Sequence, residues 1–198
     1  MVTRASDDPG EPFRVYLRRP AARDRKAFLA AVAASRRLHG AWVAAPSSDE
    51  TFRSYVARFG RPVRTAQHVG YLAFRADDEA LVGVLNFSEI VRGVFQSTYL
   101  GYYAFAPFAG RGYMSEALAL ALDRAYGELA LHRVEVNVQP SNRRSLALVE
   151  RLGFSREGFS RRYVKIGGRW RDHVRFAMLA EDWPRARRKV VSAWRRRR

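Results

Sequence analysis

The chain has 198 residues, 47% hydrophobic and 28% charged, so it can bury a core and is not globally disordered. It contains no cysteine, which excludes disulfides, thiolate metal sites and a cysteine nucleophile and suits a reducing, cytoplasmic setting. Lys plus Arg is 36 against 19 acids, a net charge of +17.

The last fourteen residues, Arg185 to Arg198, hold eight of the positive charges and no acid, and without them the body still carries 28 cations against 19 acids. Such a balance draws a chain to polyanions: RNA, ribosomes, anionic lipid or phosphorylated ligands. A solvated arginine-rich surface gives the same count. No apolar run reaches the ~18 residues of a membrane span, so no membrane partner is expected. Met1 to Pro12 carries Asp7, Asp8 and Glu11 without an apolar segment, which predicts a flexible lead-in and no secretory signal.

Phe13 to Leu17 alternates apolar and polar and reads as a strand. Pro20 to Leu38 has Phe28, Leu29, Val32 and Leu38 near helical spacing, with Gly40 as a stop. Ser48-Asp49-Glu50 opens a second helix, through an N-cap and early acids, that runs to Gly60 and Pro62. Val69 to Phe74, Ala80 to Phe87 and Thr98 to Ala106 read as strands, with turns at Asp77-Asp78-Glu79 and Arg92-Gly93. The next helix starts at Tyr113, and Met114, Ala117, Leu118, Ala121, Leu122, Ala125 and Tyr126 form one apolar stripe. Val134, Val136 and Val138 alternate with polar residues as a half-buried strand. Ser141 or Asn142 can cap a helix that ends at Leu152-Gly153. Phe154 to Ile166 and Trp170 to Leu179 read as a hairpin around Gly167-Gly168. Residues 13–184 thus make one domain and 185–198 a basic tail, part of which can dock as a helix while Arg195 to Arg198 stay solvated. The element order implies a mixed α/β (α+β) domain with a largely antiparallel sheet and helices on both faces.

The strand from Leu100 runs straight into Gly110-Arg111-Gly112 and a helix. A helix N-terminus presents unpaired N–H groups and a partial positive charge, so this turn can hold a phosphate. The third glycine of a dinucleotide fingerprint is absent, with Ser115 in its place, and the Walker pattern is absent too. Histidines 39, 68, 132 and 173 lack metal-ligand spacing, so no metal is expected.

The run Gly110 to Leu118 resembles the acetyl-CoA pyrophosphate loop of the GNAT superfamily of N-acetyltransferases. Val138 to Ser145 and Leu152 to Gly158 resemble later motifs of the same fold. Asn86 to Gly93, Tyr99 to Tyr102 and Trp170 to Val174 resemble the RimJ type of ribosomal-protein alanine N-acetyltransferases. The resemblance implies a twisted sheet splayed at its centre, where Leu100–Ala106 and Arg133–Val138 part to admit pantetheine. It implies that backbone groups of Phe105 and Ala106 pair with pantetheine. The N–H groups of Gly110, Arg111, Gly112, Tyr113 and Met114, with Ser115 next, would face the pyrophosphate. Asn137, Asn142 and Ser145 would contact the pantetheine arm and the sulfur. Two departures stand out: Ala109 replaces the usual Gln or Arg at the loop, and Tyr99 stands where many relatives carry a glutamate base.

Without cysteine, the expected chemistry is direct attack of a neutral amine on the thioester. An α-amine, with a pKa of ~7.7–8.0, is roughly a tenth neutral at pH 7, whereas a lysine at ~10.4 is almost wholly charged. The lack of an obvious strong base therefore favours an α-amine acceptor. Glu89, the Asp172-His173 pair and Glu135 are candidate bases, and an ion pair with a neighbouring arginine is the competing reading for Asp172. Ser145 is the expected donor to the leaving thiolate. Tyr99, Tyr102, Tyr103 and Phe105 fill both faces of a strand, and Tyr102 or Tyr103 would line the acceptor cleft. The expected reaction is acetylation of a protein N-terminus, that of a ribosomal protein beginning with alanine, with ribosomal RNA contacted by the basic tail and the enzyme a monomer or homodimer. A small-amine acetyltransferase and a non-catalytic ribosome- or RNA-associated protein are the competing readings.

Overall fold

In the computed structural model, which describes residues 13–40, 42–60, 63 and 65–196, seven strands form one sheet in the order β1-β2-β3-β4-β5-β7-β6. They are β1 (Val15–Arg18), β2 (Val69–Arg75), β3 (Leu81–Val91), β4 (Ser97–Ala104), β5 (Arg133–Val138), β6 (Ser155–Ile166) and β7 (Arg169–Leu179). Every neighbouring pair is antiparallel except β4 and β5, which run parallel. The helices are α1 (Arg25–Ala34), α2 (Arg36–His39), α3 (Asp49–Phe59), α4 (Tyr113–Tyr126), α5 (Arg143–Arg151) and α6 (Trp183–Arg195). The expected mixed α/β fold with a largely antiparallel sheet is thus present. The expectation of a flexible lead falls on residues 1–12, outside the described residues.

Two apolar clusters cover the two faces of the sheet. On one, Phe28 of α1 and Phe52, Tyr55 and Phe59 of α3 pack on Leu72, Phe74 and Val84 and on Phe105 just beyond β4. On the other, the α4 stripe from Met114 to Ala125 packs on Tyr71, Val82, Leu85, Leu100 and the three valines of β5. β2 is therefore apolar on both sides, which explains its run of buried residues.

Ser48 caps α3 as expected: its Oγ accepts the Thr51 N–H at 3.2 Å, and Thr51 Oγ1 accepts the Ser48 N–H at 3.0 Å. The β6–β7 hairpin turns through Gly167 and Gly168, both at positive φ (56° and 78°), the geometry a two-residue turn with matched twist requires. Two expectations need correction. The helix from Pro20 to Leu38 is preceded by a short 3-10 turn and broken at Ser35, whose Oγ donates to the Ala31 carbonyl (2.6 Å) and accepts the Ala106 N–H (2.9 Å). The strand expected to reach Ala106 stops at Ala104, because Ala106–Phe108 turns through Pro107 as a 3-10 segment. The basic tail docks in part as a helix, as expected: α6 buries Trp183 and Val190, sets Trp194 edge-on to Phe13 (5.7 Å between rings) and ties Arg187 to Asp123 at 2.9 Å.

Candidate active site

β4 and β5 pair only from Ser97–Tyr99 to Arg133–Glu135, and then part. Gly101 sits where they separate, and a side chain built there would meet nothing within 4 Å. The resulting cleft holds about 270 Å3 and is lined by Tyr102 and Tyr103 of β4, Asn137 of β5, Ser145 of α5, His173 of β7 and the Trp42–Ala44 segment after α2. Backbone direction follows from one bond. Phe105 N–H donates to the Val82 carbonyl at 2.8 Å, so alternation turns Tyr103 and Gly101 toward β3 and leaves the backbone of Tyr102 and the N–H of Ala104 facing the gap, while the Ala104 carbonyl accepts from His39 Nε2 at 2.9 Å. The expectation of open donors at Phe105 and Ala106 is corrected here: Phe105 is fully buried and bonded to Val82, and the Ala106 N–H goes to Ser35.

The glycine loop follows β4 at the end where that strand has parted from β5. Gly110 (φ +79°) and Gly112 (φ +85°) both take left-handed backbone, and Gly112 caps α4. The N–H groups of Gly110, Gly112, Tyr113 and Met114 make no hydrogen bond among the described residues, while the Arg111 N–H reaches the Phe108 carbonyl at 3.4 Å. The Ser115 N–H donates to the Gly112 carbonyl at 3.0 Å, and the buried Ser115 Oγ has no partner among the described residues. Four open donors at a helix N-terminus fit a pyrophosphate. Arg14 braces the loop from behind. It pairs with the buried Glu116 through Nε (2.7 Å), donates from Nη2 to the Arg111 carbonyl (3.1 Å), and lies 4.4 Å over the Tyr113 ring. Sequence reading missed this brace and the Trp42–Ala44 wall. The one local signal was an acid in the first turn of α4.

Inside the cleft the Tyr102 hydroxyl lies 2.6 Å from Ser145 Oγ. Burial pushes the Tyr102 phenol up to about 12, so it stays protonated at any physiological pH. Asn142 caps α5, its Oδ1 accepting the Ser145 N–H at 3.2 Å, and this holds Ser145 at the cleft edge. Asn137 points a buried Oδ1 at the cleft with no partner among the described residues.

The other candidates lie apart. Glu89 sits on a bulge of β3 at positive φ (51°), 61% exposed, and forms an ion pair with Arg58 at 3.8 Å. Asp172 Oδ1 accepts the Arg162 N–H at 2.7 Å and so holds the bulge in β6. Glu135 is held by Arg133 at 2.9 Å where β4 and β5 still pair. Beside it Tyr99 accepts from the Tyr163 hydroxyl at 3.3 Å, which with burial raises the Tyr99 phenol to about 12. None of the four lines the cleft, whereas His173 does.

A sheet parted at its centre, with an anion-ready helix N-terminus following the parted strand, is the architecture of the GNAT acetyltransferases, which draw the acetyl group from acetyl-CoA. Residues 14–155 match the acetyltransferase (GNAT) domain, and the chain belongs to that family. It is 43% identical over 110 residues to the ribosomal protein uS5-alanine N-acetyltransferase of Escherichia coli (strain K12), over 56% of this chain and 57% of that protein. The chain thus spans little more than half the length of that curated relative. Its fold superposes on Mycobacterium smegmatis RimJ in complex with CoA-disulfide with a TM-score of 0.83 and 28% identity, over 91% of this chain and 90% of that one. Spermidine N-acetyltransferase from Vibrio cholerae, in complex with CoA and spermine, shares the fold at a TM-score of 0.72 and 20% identity, over 86% and 98% of the two chains. No helix among the described residues is long and apolar enough to cross a membrane.

Proposed function

We propose that this protein transfers the acetyl group of acetyl-CoA to the α-amine of a protein N-terminus, the acceptor being a ribosomal protein that begins with alanine. The observation that carries the reading is the Tyr102–Ser145 pair, 2.6 Å apart, at the edge of a gap whose parted strand β4 leads into four open loop donors. Gly110 to Met114 would hold the pyrophosphate, the backbone of Tyr102 and the Ala104 N–H would pair with the pantetheine arm as an added strand, and Asn137 and Asn142 would border it. The amine attacks the thioester carbon directly. As the C–S bond breaks, the sulfur takes a proton from the Tyr102–Ser145 pair, and Tyr102, held neutral by burial, keeps that pair a donor. The α-amine fits because its pKa of ~7.7–8.0 leaves a useful neutral fraction without a strong base. The E. coli relative's name points to alanine as the first N-terminus to try. We read the setting as cytoplasmic and the outer face of α6 as the surface that meets ribosomal RNA.

The test is an acceptor panel with acetyl-CoA: an alanine-initiated peptide, the same peptide N-terminally blocked with an internal lysine, and spermidine. Mass spectrometry should find the acetyl group on the alanine α-amine first. Preferential acetylation of spermidine would replace this reading with a small-amine enzyme. Tight acetyl-CoA binding with no acceptor at all would leave a binding protein.

A further inference from the structure

The gap between β4 and β5 joins two faces of the sheet that carry different chemistry. Alternation places Tyr102 with Leu100 and Val136 on the α4 side, where Ser145 meets it. The opposite face carries Tyr103, Asn137 and Gln139, together with Arg175 and, two residues before it, His173. A thioester entering along the α4 side would meet its acceptor from this second face. No carboxylate lines the cleft among the described residues, and His173 is its sole imidazole. Its Nδ1 lies 3.0 Å from the Arg171 carbonyl oxygen. A carbonyl only accepts, so Nδ1 carries the ring proton and Nε2 of the neutral ring keeps its lone pair.

We propose that His173 Nε2 accepts the proton released by the attacking amine and is thereby the catalytic base of the acetyl transfer proposed above, on which this inference rests. The amine nitrogen bonds the thioester carbon and loses one proton to Nε2. The C–S bond breaks, and the sulfur gains one proton from the Tyr102–Ser145 pair. Water then returns a proton to that pair and removes one from the imidazolium, so the products are the acetylated amine and free thiol.

Burial of His173, at 3% exposure, lowers its pKa below the usual 6.5, and neither the Arg171 carbonyl nor the Asp172 carboxylate, which both act the other way, reverses this. The ring is therefore neutral at pH 7 and ready to accept. The titratable or charged groups around it are Arg171, Asp172 and Arg175 on β7, Tyr163 on β6 with its ring 6.1 Å away, and Tyr103 on β4.

Two measurements test this. Nitrogen-15 NMR of the protein alone should find the His173 Nδ1–H tautomer, titrating below 6.5. His173→Gln should cut kcat on an alanine-initiated peptide by about 10²–10⁴. Its acetyl-CoA Kd by calorimetry should stay at the wild-type value, and the acid limb of the kcat–pH profile should vanish. An Nε2–H tautomer, or a folded His173→Gln with wild-type kcat and an intact acid limb, overturns the assignment while the function stands. A wild-type protein that binds acetyl-CoA and acetylates no amine removes both.

Discussion

Arg14 and Glu116, 102 residues apart, hold each other beneath the glycine loop: the Arg14 backbone N–H and its Nε each donate to the Glu116 carboxylate at 2.7 Å. Glu116 is almost fully buried at the N-terminus of α4, where an unpaired carboxylate would oppose an incoming phosphate. Arg14 cancels that charge and, through Nη2 on the Arg111 carbonyl, fixes the loop. A charge-assisted hydrogen bond contributes about 1.5–3 kcal/mol. Arg14→Ala leaves the buried carboxylate alone, whereas Glu116→Gln removes its charge and keeps an acceptor. Calorimetry should find both variants weaker for acetyl-CoA, with Arg14→Ala the worse. The reverse ranking would mean that the brace works by shape and not by charge.

Gly112 gives a sharper test of the anion site. Its φ of +85° is one that aspartate tolerates better than most residues, and a Cβ there would meet only Arg14 Nη2 at 3.2 Å, which a shift of a few tenths of an ångström in that guanidinium relieves. Aspartate at an N-cap also suits a helix. Gly112→Asp should thus fold with a near-native Tm yet lose acetyl-CoA binding, since its carboxylate occupies the place of a phosphate. Unchanged affinity in the folded variant would move the cofactor site elsewhere.

Tyr102 and Ser145 are predicted to act as one unit. Removing a donor aimed at developing charge typically lowers turnover about 10²–10³-fold. Tyr102→Phe and Ser145→Ala should each lower kcat with little change in acetyl-CoA affinity, and the double variant should be little worse than the poorer single one. Fully multiplicative losses would show two independent roles. A loss confined to Tyr102→Phe would make the tyrosine the donor and Ser145 its support.

The α4 stripe from Met114 to Tyr126 was legible because the helix lies flat on the sheet and its periodicity is the packing pattern. The break at Ser35 was not, since the N–H that Ser35 Oγ binds comes from Ala106, 71 residues on. Ser145 and the glycine loop were marked by their place at helix starts. That Tyr102 and not Tyr103 meets Ser145 depends on the short β4–β5 register, which a strand with aromatics on both faces cannot reveal by itself. Arg14 carried no local signal, because its partner arrives only when α4 docks beside β1. Glu89 and Asp172 attracted notice as carboxylates near motifs, but Glu89 sits on a bulge of β3 paired with Arg58, Asp172 accepts the Arg162 N–H, and neither lines the cleft.

The outer face of α6 sets the last prediction. Arg185, Arg188, Lys189 and Arg196 are exposed, while Trp183, Val190 and Trp194 pack inward, so the helix presents cations to solvent and apolar residues to the body. Deleting the segment would strip Val190 and Trp194 from the core and confuse instability with lost charge. Exchanging Arg185, Arg188 and Lys189 together for glutamine leaves that packing intact. If these cations meet ribosomal RNA, each engaged duplex phosphate adds about 0.9 to the slope of log affinity against log salt. The triple variant should bind ribosomes more weakly at low salt, with a flatter salt dependence. Its turnover on a short alanine-initiated peptide should match the wild type, because no α6 residue lines the cleft. An unchanged slope would show that these cations are merely solvated. A collapse of peptide turnover at unchanged Tm would instead tie α6 to the active site, and the electrostatic account would have to be abandoned.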